Sequence, residues 1–160
     1  MKLGDDVSTD AIYPGRFMAT VLPSETPQFA FADYEFNAKL KKGEVPPFSV
    51  ILAGKNFGCG SSREQAASTL KGYELIIVAR GFARIFLQNS INLGLRTVSC
   101  PDLEANEGDE LEIGATEVRN LTTGATFRVE PLPAARLAIV ESGGLIPYTR
   151  RKLQERLANP

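Results

Sequence analysis

The chain has 160 residues, a length that suits one domain and leaves little room for two independent hydrophobic cores. Hydrophobic residues make up 43% and charged residues 23%, which is typical of a folded globular protein and not of a disordered one. With 18 basic and 19 acidic residues the net charge is −1, so no basic excess predicts binding to nucleic acid or an anionic membrane. There is no histidine, which excludes His-based triads and His-ligated metal sites held by this chain alone.

The cysteine count and the N-terminal residues narrow the class of protein further. Cys59 and Cys100 are too few for a disulfide framework or for a metal site that one chain could hold, so we predict no metal ligands here. The N-terminus lacks the apolar core of a signal peptide, and no apolar run approaches the ~20 residues of a membrane span. We therefore predict a cytoplasmic protein whose chemistry uses hydroxyl, carboxylate or cationic side chains, or a cofactor brought by a partner.

In chain order, the first fifty residues are rich in turn formers, and only residues 29–40 predict a helix. A loop-rich opening of this size is uncommon in a small domain and is itself a candidate for function. The next fifty residues alternate between short apolar runs and helical patterns: strand 49–54, helix 62–72, strand 75–79, helix 82–89 and strand 95–98. This order predicts βαβ units and a sheet that is at least partly parallel.

The remaining residues predict a hairpin and a terminal helix. Residues 109–113 alternate in polarity, and residues 117–119 and 126–129 flank a turn at 121–124, which is typical of a β-hairpin. A basic helix is predicted over residues 147–160, with apolar contacts through Leu145, Tyr148, Leu153 and Leu157. The predicted fold is α/β, one domain over residues 1–160, with a mixed sheet containing βαβ units and a hairpin.

Residues 54–65, between the first buried strand and its helix, carry most of the chemical information. Three glycines allow tight turns, and Ser61 or Ser62 is expected to cap the helix, with Gln65 completing a capping box. A helix N-terminus at the carboxyl end of a strand attracts anions, and the guanidinium of Arg63 suits a carboxylate. The segment therefore predicts a carboxylate-binding loop.

From these residues alone, binding with catalysis and binding without it both stay open. Glycine-rich turns with serine caps are also common where no ligand binds. An unassisted serine hydroxyl is a poor base, so removing a proton from carbon would require an alkoxide stabilised by helix N–H groups and Arg63. It would also require a substrate acidified by, for example, a Lewis-acid metal.

Several motifs together resemble the swivelling domain of the aconitase superfamily. They are GDDVSTDAIYPG (residues 4–15), NFGCGSSRE (56–64), GFARIF (81–86), NSINLG (89–94) and GGLI (143–146). They occur in the order expected for that domain, and the chain length matches a free-standing small subunit of a dehydratase. Gln65 departs from the pattern, because histidine commonly stands at that position.

The resemblance implies a hydro-lyase that removes water from a hydroxy di- or tricarboxylic acid and adds it back. It implies that Ser61 is the general base, that Ser62 and Arg63 bind substrate carboxylates, and that Asp10 is an active-site carboxylate. It also implies a 4Fe–4S cluster on a partner large subunit, with none bound by this chain. The partners expected are therefore that large subunit and a small carboxylate substrate.

The resemblance places a substrate-specificity loop at residues 13–30, with substrate contacts from Phe17, Met18, Ala19 and Thr20. Members that take a tricarboxylate have an arginine at about the position of Ala19, whereas the uncharged residues here favour an apolar group on the substrate. The favoured activity is the interconversion of 2- and 3-isopropylmalate in leucine biosynthesis. Citramalate, dimethylmalate and homocitrate or homoaconitate are the alternatives, as are a carboxylate-binding module without catalysis and a subunit that serves assembly.

Overall fold

The computed structural model describes residues 1–158. Within this range the helices are α1 (Thr9–Ile12), α2 (Glu35–Lys41), α3 (Glu64–Lys71), α4 (Arg84–Leu93), α5 (Ala134–Glu141) and α6 (Leu145–Ala158). The strands are β1 (Val50–Ala53), β2 (Ile76–Ala79), β3 (Thr97–Ser99), β4 (Leu111–Ile113), β5 (Glu117–Asn120) and β6 (Thr126–Arg128). Two short 3-10 helices, Gly15–Phe17 and Thr26–Phe29, lie in the loop-rich first fifty residues.

Continuous apolar runs form β1 and β2 of the central parallel sheet. Its order is β1-β2-β3, and the register pairs Ile51 with Ile77 and Val78 with Val98. Strands of this kind are buried on both faces, which explains why they show no polar alternation. Helices α3 and α4 are the crossovers between successive strands and pack against each other. The predicted βαβ units are confirmed.

The predicted hairpin is also confirmed, as part of a second sheet. Strands β4, β5 and β6 are antiparallel neighbours, with Val118 of β5 opposite Phe127 of β6. Parallel and antiparallel pairing both occur, as predicted for an α/β fold, but in two sheets joined by an isolated antiparallel bridge between Ser99 and Glu130.

The two sheets and the helices stack as three layers. Along β1 the side chain of Ile51 faces the helices, in one apolar core with Leu70 of α3 and Phe86 of α4. The next side chain, Leu52, faces the antiparallel sheet in a second core with Val118. This alternation gives a β/β/α arrangement. Because β1, β2 and β3 are parallel, the loop after each strand emerges at the same carboxyl edge of the sheet.

Two helix predictions were wrong in extent. Residues 29–40 are not one helix, because Phe31 has a φ of +50° and donates its N–H to the carbonyl oxygen of Ile12 over 2.8 Å. Only α2 is α-helical in this segment. Helix α4 continues beyond the predicted residue 89 and ends at Gly94, whose φ of +72° is a common helix terminator. The third strand lies two residues later than predicted, at Thr97–Ser99.

The C-terminal region differs most from the prediction. Helix α5 was not predicted, and α6 begins before residue 147 because Pro147 is tolerated in a first turn. Three of the expected apolar contacts are wrong, since Leu145, Leu153 and Leu157 are 40%, 54% and 83% exposed. Residues 159 and 160 of the predicted helix lie outside the described residues.

Candidate active site

The loop that follows β1 lies beside the N-terminal motif, which runs parallel to it. Asp6 donates its N–H to the carbonyl of Lys55 over 2.9 Å, and Gly58 donates to the carbonyl of Val7 over 2.7 Å. Thr9 continues the contact by donating its N–H to Cys59 O over 2.8 Å. Two motifs about fifty residues apart in sequence therefore form one backbone-bonded unit.

The motif GFARIF (residues 81–86) lies on the other side of the same loop. Phe57 donates its N–H to the carbonyl of Gly81 over 3.0 Å, and Ala83 donates to the carbonyl of Phe57 over 2.9 Å. Below them the rings of Phe57 and Phe86 pack edge to face, with centroids 5.2 Å apart. The loop is thus held between two chain segments and supported from below by an aromatic cluster.

Glycine is required at Gly58 for two separate reasons. Its φ is +81°, a conformation that costs little only without a side chain. A Cβ at this position would also lie 2.2 Å from Cγ of Phe86, far inside van der Waals contact. The sequence predicted tight turns here but not this contact with α4.

Arg63 and Asp10 are brought together at the end of this loop. Nη1 of Arg63 is paired with Oδ1 of Asp10 and also donates to the carbonyl oxygen of Tyr13 over 3.1 Å. The Arg63 side chain is 14% exposed whereas that of Asp10 is 58% exposed. The pair therefore has a buried cation and a carboxylate open to solvent.

The surroundings of Asp10 keep it ionised. The hydrogen bond and the charge of Arg63, together with the N–H of Gly15 at 3.3 Å, hold the pKa of the Asp10 carboxyl below its ordinary value, against a smaller opposing effect of desolvation. Arg63 therefore has an anionic neighbour across the ordinary pH range.

Ser61 and Ser62 are exposed on the same loop, immediately before α3. The prediction that one of them caps the helix was wrong: the N-cap residue is Arg63, and no side chain makes the capping hydrogen bond. The carbonyl of Ser61 accepts instead from the N–H of Arg63 at 2.9 Å and from the hydroxyl of Thr9 at 3.0 Å. The backbone is fixed, and the serine side chains are left at the start of the helix.

The predicted specificity loop is held by Tyr13, which sequence reasoning did not select as a site residue. The Tyr13 side chain is fully buried, and its hydroxyl donates to the carbonyls of Phe17 at 3.0 Å and Thr20 at 3.3 Å. The ring of Phe17 stacks on Phe29 with centroids 4.2 Å apart. Met18 and Ala19, which lie between Phe17 and Thr20 in the sequence, are both exposed.

The two later motifs, at residues 89–94 and 143–146, pack against each other. A Cβ on Gly144 would lie 2.7 Å from the carbonyl oxygen of Asn92, and one on Gly94 would lie 2.4 Å from the backbone of Gly143. The end of α4 and the turn before α6 are therefore in direct backbone contact. Lys71 of α3 strengthens this junction by donating to Gly143 O over 2.8 Å.

Residues 1–158 contain no group of three or more His, Cys, Asp or Glu side chains that could hold a metal ion. The two thiols are separately engaged: Cys59 donates to Asp6 O over 3.4 Å and Cys100 to Arg128 O over 3.3 Å. In the same described range, no helix has the length and hydrophobicity to cross a membrane.

Comparison with known proteins shows which family this chain resembles. A family model, that of the aconitase C-terminal domain, matches residues 23–103. The isopropylmalate/citramalate isomerase small subunit of Methanocaldococcus jannaschii is 44% identical over 96% of this chain and 93% of its own length. The 3-isopropylmalate dehydratase small subunit of Methanosarcina acetivorans is 40% identical over 97% of this chain and 96% of its own.

A solved structure gives the same result for the fold. The crystal structure of a 3-isopropylmalate dehydratase from Methanocaldococcus jannaschii matches with a TM-score of 0.89 and 35% identity, over 99% of this chain and 95% of that one. The chain belongs to the aconitase C-terminal domain family, among relatives that are 3-isopropylmalate dehydratase-type small subunits. The resemblance stated from the motifs is confirmed.

Proposed function

We propose that this chain is the small subunit of a hydro-lyase that interconverts 2- and 3-isopropylmalate in leucine biosynthesis. The observation that carries the proposal is the contact between Asp10 and Arg63, directly after the exposed Ser61 and Ser62. It occurs in a chain that matches dehydratase small subunits over nearly its whole length. The cytoplasmic location predicted from the sequence remains a prediction.

In this proposal Arg63 binds a carboxylate of the substrate. Its Nη1 is already held by Asp10 and the Tyr13 carbonyl, which orients the planar guanidinium before any ligand arrives. The Nε and Nη2 groups, which take no part in those contacts, then present two N–H donors to the substrate carboxylate. Ser62, exposed next to them, adds a hydroxyl donor.

Ser61 is proposed as the base that removes the proton from carbon. It precedes α3, whose first-turn N–H groups and positive dipole end stabilise negative charge that develops on the serine oxygen. A serine in water is too weak a base for this step, so the exposed face must be covered during catalysis.

We propose that a large subunit covers this face, because the relatives that this chain matches are named small subunits. The iron–sulfur cluster that the family implies does not fit this chain, because residues 1–158 hold no suitable ligand group. We therefore assign the cluster to the large subunit, where it would supply Lewis-acid chemistry. The residues of this chain are assigned only substrate binding and proton transfer.

The substrate assignment depends on the exposed residues Met18 and Ala19, flanked by Phe17 and Thr20. An uncharged surface favours a substrate with an apolar group, since a third carboxylate buried without a cation would be costly. Citramalate, dimethylmalate and homocitrate or homoaconitate remain the alternative acids. One relative, the methanogen homoaconitase small subunit of Methanothermobacter thermautotrophicus, is 41% identical over 92% of this chain and 86% of its own.

The activity is tested by co-expressing this chain anaerobically with the large subunit from its source. Turnover of 2-isopropylmalate, citramalate and homocitrate is followed by the absorbance of the unsaturated intermediate acid. Ser61→Ala is expected to lower kcat by about 10²- to 10⁴-fold while the complex still forms, because a general base is lost. Ser49→Ala, before β1 at the opposite edge of the sheet, is the matched control and is expected to leave kcat unchanged.

Each remaining outcome of this experiment has a defined meaning. Retained turnover in Ser61→Ala would contradict the role of Ser61 as base. A wild-type pair that binds these acids without turnover would instead indicate a carboxylate-binding module. Loss of the complex in Ser61→Ala would indicate that the loop serves assembly.

The substrate is tested separately with Ala19→Arg. A cation at this exposed position is expected to shift the ratio of kcat/KM at least tenfold from isopropylmalate toward homocitrate, because it would pair with the additional carboxylate. An unchanged ratio would contradict the assignment of residues 17–20 to substrate contact.

A further inference from the structure

One buried residue, Tyr13, joins the carboxylate-binding part of the proposed site to the loop that is proposed to face the rest of the substrate. Tyr13 contacts both parts through opposite ends: its main-chain carbonyl accepts from Nη1 of Arg63 at 3.1 Å, and its hydroxyl donates to the loop at Phe17 and Thr20. We propose that Tyr13 is a positioning residue that fixes the spacing between Arg63 and residues 16–20, and thereby sets the selectivity for the variable group of the substrate. This inference rests on the proposed function.

The Tyr13 ring is rigidly placed. It has no exposed surface, and it packs edge to face against Phe29 with centroids 6.0 Å apart and against Phe17 with centroids 6.5 Å apart. A ring held on several sides directs its hydroxyl to one point. Burial also raises the pKa of the Tyr13 hydroxyl, so the hydroxyl stays protonated as a donor.

Further contacts anchor the loop at residues that flank its tip. Arg16 pairs with Asp33 and lies over the Phe17 ring, 4.6 Å from its centroid. Met18 and Ala19, at the tip, are exposed. The position of the tip therefore depends on these flanking residues, and the Tyr13 hydroxyl bonds the backbone on both sides of the tip.

The geometry also shows why removing the hydroxyl is a specific change. The carbonyl of Phe17 accepts a second hydrogen bond, from the N–H of Thr20 at 3.0 Å, so this turn survives without the tyrosine hydroxyl. Tyr13→Phe keeps the buried ring and the main-chain carbonyl that holds Arg63. Only the hydrogen bonding of the hydroxyl to the carbonyls of Phe17 and Thr20 is lost.

The first measurement uses the isolated full-length chain and is independent of enzymatic activity. Hydrogen exchange of the amides of residues 16–22 is expected to be about threefold to tenfold faster in Tyr13→Phe, as follows from the loss of one buried hydroxyl donor, which the carbonyls of Phe17 and Thr20 share. Tyr148→Phe is the matched control, because it removes a tyrosine hydroxyl on α6, far from the loop in sequence. Exchange that is unchanged in Tyr13→Phe would overturn the proposal.

The second measurement uses the pair with the large subunit. In Tyr13→Phe, KM for 2-isopropylmalate is expected to rise about threefold to tenfold while kcat stays within twofold, because the groups that perform the chemistry are untouched. The preference for isopropylmalate over citramalate is expected to fall by a similar factor, since the smaller methyl group depends less on the loop. Replacing Tyr13 by 4-aminophenylalanine, which restores a donor, is expected to recover the preference.

The outcomes separate this inference from the proposed function. An equal loss of kcat/KM for all the acids, without restoration by the amino analogue, would show a merely structural role and overturn the proposal. A wild-type pair without activity on any of the acids would refute the proposed function, and the exchange measurement would still decide whether Tyr13 holds the loop.

Discussion

Gly58→Ala is a substitution within the candidate site for which the structure predicts a large loss of stability. A side chain at a φ of +81° costs about 1 kcal/mol. The added Cβ would lie 2.2 Å from Cγ of Phe86, and relieving such overpacking costs about 1–3 kcal/mol more. We therefore expect the free energy of unfolding to fall by about 2–4 kcal/mol, and Tm to fall by roughly 6–12 °C.

Phe86 cannot move away at little cost. It is 1% exposed and packs against Phe57, which lies in the same loop as Gly58, so any shift disturbs both the aromatic cluster and the loop backbone. Loss of activity is expected as well, because the loop continues directly into Ser61 and Arg63.

The assay is urea unfolding followed by circular dichroism, with Gly124→Ala as the control. Gly124 has nearly the same φ, +78°, but an added Cβ there would meet no atom within 4 Å. In Gly124→Ala the free energy of unfolding should therefore fall only by the conformational cost of the positive φ, about 1 kcal/mol. If Gly58→Ala lost no more stability than Gly124→Ala, the argument from the close approach of the added Cβ to Phe86 would be refuted.

Two other substitutions test the second sheet and the ion pair. Asn120→Ala is expected to lower the free energy of unfolding by about 2–3 kcal/mol. The reason is that the buried amide of Asn120 donates to Asp109 over 2.7 Å and accepts from two turn N–H groups. Urea unfolding measures this loss, and a value below about 1 kcal/mol would contradict the argument. Asp10→Asn tests the ion pair: the stability that the wild type gains from Arg63 is expected to be fully present above the ordinary pKa of an aspartate and to vanish as the pH falls through the lowered pKa of Asp10. Thermal unfolding of both proteins from pH 3 to 8 measures this difference, and a gap that widens in acid would refute the pairing.

The parts of the fold that could be predicted are those with a short-range signal. The strands at 50–53 and 76–79 are continuous apolar runs bounded by turn formers, and both predictions agreed within a few residues. The hairpin was readable from alternation around the turn before Ala125. Helix α5, AARLAIVE, is apolar along most of its length, so its sequence lacks the alternation of an apolar and a polar face by which a helix is recognised.

The candidate site was predictable in its parts but not in its connections. The motif residues Asp10, Ser61 and Arg63 were selected from their chemistry and from a resemblance, yet the contact of Arg63 with Tyr13 spans fifty residues of sequence. The capping prediction failed for a related reason: the carbonyl of Ser61 is held by the distant hydroxyl of Thr9, and the helix begins two residues later than a local pattern suggests. Long-range hydrogen bonds of this kind leave no periodic trace in a sequence.

The exposure of the site residues explains why such a chain would act only within a complex. Arg63 is largely buried and held in place, whereas Asp10 and the two serines face solvent. An anion held by Arg63 in open water would gain little, because water screens the charge, and a serine alkoxide there would be protonated at once. When a second protein surface excludes water, the same guanidinium and the same helix N-terminus act in a lower dielectric and stabilise charge much more strongly. In the proposed function the chain therefore contributes one prearranged half of the site, and the other half comes from the large subunit.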